Sequence, residues 1–134
     1  MSRWVTDTHG LLWHLYNANK LSAQVKEIFA GADNDEHQIV IPAIVLVETV
    51  YLAERGRIVA DAVHHVLRLL QAGADNYMVA ALDIGVALAL TKVDASVVPD
   101  MPDRVIAATA LHLDLPLLTR DTKIQMLGNV RMVW

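Results

Sequence analysis

Short apolar runs alternate along this chain with longer segments in which apolar positions recur every three or four residues. That alternation is the mark of an α/β domain with a mainly parallel sheet. Strands are predicted at residues 4–6, 38–41, 77–80, 117–119 and 130–133, and helices at 8–16, 23–30, 43–54, 60–70, 84–91 and 103–113. Ser22 is placed to cap the second helix, and Pro42 suits the first turn of the third. Gly31, Gly56 and Gly73 each follow a helix-period stretch and read as helix stops.

The 134 residues form a single predicted domain, 1–134, without internal repeat, linker or low-complexity segment. Hydrophobic residues make up 54% of the chain and the mean hydropathy is +0.35, so apolar surface is expected to remain after the core is filled. An oligomer or an obligate partner follows as an expectation. No uncharged stretch, 37–47 included, reaches the roughly 20 residues that cross a bilayer, so no membrane span is expected. The first residues lack a signal-peptide hydrophobic region, and a cytoplasmic location is expected. With no cysteine there is neither a disulfide framework, nor a thiolate metal site, nor a thiol nucleophile.

Against this apolar background, Asp7, Glu48, Asp103 and Asp121 stand out. Asp7 follows the first predicted strand and Asp121 the fourth; Asp103 opens an apolar helical run; Glu48 is the lone charge in residues 41–53. A carboxylate beside an apolar core costs several kcal/mol, by order of magnitude, unless donors or a cation compensate. Ligands of open α/β sheets bind beyond the carboxyl ends of the strands, where Asp7 and Asp121 fall. Each acid also has an ordinary structural use: Asp7 as a helix cap, Asp100 and Asp103 as a capping pair, Asp121 as a turn residue. Glu48 fits such a use least, because its helical neighbours are apolar.

The net charge of −4 argues against a general nucleic-acid coat, whose affinity comes from Lys and Arg on phosphates, but not against an enzyme acting on nucleic acid. Arg104, Arg120 and Lys123 lie next to the candidate acids and are candidate phosphate contacts. Other chemistries are poorly supplied. No serine lies in a G-x-S-x-G elbow, no Gly-rich phosphate loop occurs, and the histidines form no H-x-x-x-H pair. An Asp-x-Asp phosphoryl-transfer motif would need an acid at position 9, which is His. An all-carboxylate cluster instead selects Mg²⁺ or Mn²⁺, and such clusters commonly serve phosphodiester hydrolysis.

Four segments carry a resemblance. They are Thr6-Asp7-Thr8-His9-Gly10-Leu11-Leu12-Trp13; Leu46-Val47-Glu48; Asp100-Met101-Pro102-Asp103-Arg104-Val105-Ile106-Ala107-Ala108; and Leu117-Leu118-Thr119-Arg120-Asp121. In this order, nearly end to end, the chain resembles the PIN-domain ribonucleases, specifically the VapC-type toxins of prokaryotic toxin–antitoxin modules. The resemblance implies a three-layer α/β/α sandwich around a mainly parallel sheet. It further implies that Asp7, Glu48, Asp103 and Asp121 form a catalytic Mg²⁺ or Mn²⁺ site, with Thr8, Thr119 and Asp100 supporting it. The implied activity is hydrolysis of RNA to 5′-phosphate and 3′-hydroxyl ends, and the implied partners are a second copy of the chain and a VapB-like antitoxin. Trp13, Tyr16, Tyr51 and Leu52 are apolar candidates for the antitoxin contact. The rivals are a PIN nuclease of RNA processing or DNA, and a non-catalytic α/β binding or assembly domain whose acids are caps.

Overall fold

In the computed structural model, which describes residues 2–72 and 75–134, the chain begins with strand β1 (Ser2–Thr6) and helix α1 (Thr8–Tyr16). A 3₁₀ turn at Ala18–Lys20 leads to α2 (Ala23–Asp33), β2 (His37–Pro42) and α3 (Ala43–Glu54). There follow α4 (Ala62–Gln71), β3 (Tyr77–Ala80), α5 (Ile84–Ala89), a 3₁₀ turn at Leu90–Lys92 and α6 (Met101–Leu113). Strand β4 (Leu117–Leu118), helix α7 (Thr122–Leu127) and β5 (Met132–Val133) complete the chain.

All pairings are parallel, in the order β3-β2-β1-β4-β5. The chain therefore moves outward from β1 in one direction as far as β3, then crosses back to β4 and β5. Right-handed crossovers place the first two connections on one face of the sheet and the last two on the other, which is the three-layer sandwich. Central strands buried on both faces must be apolar throughout, and Ile39, Val40 and Ile41 of β2 are all inaccessible. Val5 of β1 faces Val40 on one side and Leu117 on the other, so β1 is the centre of the core. Helix α6 packs on β1 and β2 through residues 105–110, all buried. At the end of the sheet where β3 begins, the Tyr77 hydroxyl donates to Asp33 at 2.6 Å; Asp33 also lies 3.2 Å from His14, joining α1, α2 and β3. No described helix is long and apolar enough to cross a membrane.

Four local expectations are corrected. Gly31 does not stop α2 but lies inside it, because the His37 ring packs there: a Cβ on Gly31 would come within 2.2 Å of that ring. Pro42 ends β2 and precedes α3 instead of lying in its first turn. The fourth and fifth strands shorten to two residues each, since only those positions find ladder partners. Helix α7 was not predicted; its six residues are too few to display a helical period. Gly56 does follow α3, with a left-handed φ of 68° that suits glycine. The predicted stop at Gly73 lies outside the described residues.

Candidate metal centre

The fold reverses direction between β1 and β4, and the first residues past these two strands build the site. Asp7 caps α1: its Oδ1 accepts from the Gly10 amide at 2.7 Å, and its Oδ2 accepts from the Thr119 hydroxyl at 2.6 Å. The Asp7 amide donates to the Leu118 carbonyl, so β4 holds this carboxylate through both backbone and side chain. Thr119 in turn accepts from the Asp121 amide at 3.1 Å, and Asp121 caps α7 by accepting from the Lys123 amide at 2.9 Å. Gly10 is required by the crowding here, since a Cβ would stand 2.9 Å from Asp7 Oδ1 and 3.2 Å from Thr6 Oγ1.

Glu48 comes from the middle of α3, where the buried Thr8 hydroxyl donates to its Oε1 in a short hydrogen bond. Asp103 comes from the first turn of α6, whose cap is Asp100: Asp100 Oδ1 accepts from the Asp103 amide at 3.1 Å. The Asp103 carboxylate itself receives no hydrogen bond from the described residues. Its pKa is pushed up to about 7, first by burial and then by the negative charges of Asp100, Glu48, Asp121 and Asp7. Burial also raises Asp7, outweighing the Thr119 and Gly10 donors, and raises Glu48 above its Thr8 hydrogen bond.

Asp7, Asp103 and Asp121 line one pocket of about 310 Å³ together with His9, Trp13 and Arg120. Glu48 is not part of this lining, but its charge acts on Asp103. Among the described residues no three His, Asp or Glu side chains are already drawn together as a ligand set. Hydrogen bonds hold the oxygens of Asp7 and Asp121 to their own helix starts and to Thr119. The donors are nonetheless all oxygen, and Asp103 is part-buried with nothing to neutralise it, which suits a hard divalent cation.

The residues expected to support the acids take different positions. Thr8 and Thr119 orient Glu48 and Asp7, and Asp100 caps α6 while repelling Asp103. Arg120 is exposed at the pocket, its guanidinium 4.7 Å from the centroid of the Trp13 ring. Lys123 is exposed on α7 beside Asp121. Arg104 is committed elsewhere: it donates to the carbonyls of Leu90 and Val93 at 2.9 and 3.0 Å, tying the 3₁₀ turn to α6, and it does not line the pocket. His9 and Trp13 were not assigned to this pocket from sequence. Their spacing of four along α1 puts both on one face of that helix, a signal that they act together.

A comparison with protein families matches residues 4–129 to the PIN domain. No curated protein matches the chain. Among solved structures, the chain resembles VapBC2 from Rickettsia felis, solved bound to a DNA fragment from their promoter (TM-score 0.72, 15% identity, covering 98% of this chain and 97% of that one). It also resembles DNA-bound VapBC from Salmonella typhimurium (TM-score 0.69, 19% identity, 99% and 98%) and VapBC-1 from nontypeable Haemophilus influenzae (TM-score 0.67, 17% identity, 98% and 96%). With the match running from within β1 past β4 and including all four acids, this chain belongs to the PIN-domain family.

Proposed function

We propose that this chain is a Mg²⁺- or Mn²⁺-dependent endoribonuclease and the toxin of a VapBC-type toxin–antitoxin module. PIN domains are nucleases, and the single observation that carries the finer reading is that Asp7, Asp103 and Asp121 line one pocket with Glu48 within electrostatic reach of Asp103. Asp7 and Asp103 would hold the cation, and Glu48 and Asp121 would complete the cluster. When bound, the cation supplies Lewis acidity: it lowers the pKa of water and neutralises charge on phosphoryl oxygens. The chain's own part is positional. Thr119 and Gly10 fix Asp7, Thr8 fixes one oxygen of Glu48, and the other Glu48 oxygen is left to orient the attacking water. Arg120 meets the phosphate from the pocket wall. Attack in line with the leaving 3′-oxygen yields 5′-phosphate and 3′-hydroxyl ends.

The rival is an assembly domain whose acids are only caps. Capping does account for oxygens of Asp7, Asp100 and Asp121. It leaves the Asp103 carboxylate with no donor and four like charges around it, a costly arrangement in a purely structural domain.

The solved structures named above are VapBC proteins, and by that likeness a VapB-like antitoxin is the proposed partner, covering the acid pocket. A homodimer in the cytoplasm is also proposed. Helices α3 and α5 both pack on α6 and leave Val47, Ile84 and Leu88 at 60, 79 and 63% exposure, apolar area that a second copy would cover. The test is cleavage of a mixed cellular RNA pool by the purified chain with Mg²⁺ or Mn²⁺, against EDTA and Asp7→Ala. Metal-dependent cutting that Asp7→Ala abolishes supports the nuclease. Absence of cutting with every metal, by folded protein free of antitoxin, moves the weight to the assembly domain.

A further inference from the structure

A second pocket, of about 430 Å³, opens beside the acid pocket and shares two of its walls, His9 and Trp13. Its remaining lining includes Tyr16 of α1, Leu52 of α3 and Ile58, with Arg57 at the rim. It joins apolar and aromatic surface to cationic edges, and no acidic residue is among its described lining. Trp13 itself carries two cations: Arg120 on the acid-pocket side and Lys20, whose Nζ is 5.5 Å from the ring centroid.

We propose that this second pocket is a nucleobase subsite for single-stranded RNA, which rests on the nuclease reading above and names how the substrate is gripped. A phosphodiester seated at Asp7, Asp103 and Asp121 carries a nucleoside on each side, so one flanking base comes directly against the wall of His9 and Trp13. Aromatic platforms with adjacent cations are the general device for holding single strands, since every base offers a π-face and every phosphate a charge. Trp13 and Tyr16 supply the platform, Leu52 and Ile58 the apolar floor, and Arg57 donors for a base edge. Lys20 and Arg120 stand where successive phosphates pass. An apolar peptide segment would suit the floor equally, but it has no use for Arg57, which no acid accompanies in the described lining of this pocket. The charge pattern therefore favours a polyanion.

Two variants test the subsite. Trp13→Leu removes the platform and keeps an apolar side chain; Val59→Trp, at a rim position 54% exposed, fills the pocket from outside without touching the core. The first measurement is binding of a fluorescein-labelled single-stranded hexaribonucleotide by anisotropy, with Ca²⁺ as a hard cation in place of Mg²⁺. The second is the cleavage pattern and the separate kcat and KM on RNA with Mg²⁺ or Mn²⁺, with melting curves to certify the fold. The expected result is about tenfold weaker binding in each variant, the loss of one stacked base. In cleavage the loss falls on KM, with flattened base preference next to the scissile bond. If Trp13→Leu does not fold, Val59→Trp decides alone. A wild-type chain that binds and cuts RNA, with variants that match it in affinity and base preference, overturns the subsite and leaves the nuclease standing. Variants that match it on RNA but lose a co-purifying protein overturn it too and give the pocket to that partner. A wild-type chain that neither binds nor cuts RNA overturns both readings.

Discussion

Replacing Asp103 by Asn should stabilise the metal-free protein while abolishing its activity, and the effect should depend on pH in a way that capping cannot imitate. In the folded chain Asp103 ionises at about 7, against 3.8 when free. Between those values the folded state keeps a proton that the unfolded state has released, so stability falls as pH rises through this window and the loss is complete above it. About three pH units at 1.36 kcal/mol each is about 4 kcal/mol. Asp103 is part-exposed, so solvent screening reduces this to about 2 kcal/mol. Asn has nearly the same shape and cannot ionise. At pH 8 in EDTA, urea unfolding should therefore show Asp103→Asn more stable by about 2 kcal/mol, or about 7 °C in Tm. Near pH 4 the two proteins should converge. Adding Mg²⁺ to about 100 times its Kd should raise the wild type by about 2.7 kcal/mol and the variant by much less. A variant equal to or less stable than the wild type at pH 8 without metal would refute the reasoning, because it would mean that Asp103 is satisfied where it stands.

Four further outcomes follow from the geometry. Thr8→Val removes the donor that holds Glu48 and should cost about 10- to 100-fold in metal affinity or activity, measured by metal titration of the RNase rate. Gly10→Ala forces Asp7 Oδ1 away from a Cβ that would stand 2.9 Å from it; cleavage should fall by at least about tenfold while circular dichroism shows the fold retained. Arg120→Ala should reduce the slope of log K against log salt for single-stranded RNA by about 0.7, one phosphate contact. Arg104→Ala should leave that slope unchanged and instead cost about 2 kcal/mol of stability by urea unfolding, since its guanidinium holds the carbonyls of Leu90 and Val93.

The layout of the fold was legible in the sequence wherever an element is long and buried on a definite face. Residues 38–41, a run without charge, read as a strand, and the apolar run after Asp103 read as a helix. Short elements carried no such signal: α7 spans too few residues to show its period, and β5 exists only because Met132 and Val133 find Leu117 and Leu118 beside them. Gly31 misled because glycine serves two ends, stopping a helix or admitting a close neighbour, and only the position of the His37 ring says which.

The same division holds at the site. The sequence by itself supplied the residue types: four acids and no thiol, placed near strand ends and in apolar helices, an oxygen-only set that suits a hard cation. Proximity belongs to the tertiary structure. The crossing of the chain from β3 back to β4 brings Asp121 beside Asp7, and the packing of α3 on α6 brings Glu48 near Asp103. Local patterns also could not separate Arg104 from Arg120, both basic and both next to an acid. The fold binds one to buried backbone carbonyls and leaves the other on the Trp13 ring at the pocket mouth. Adjacency in sequence fixes only which residue type is available near an acid; which way its side chain points depends on the surface that the neighbouring elements present to it.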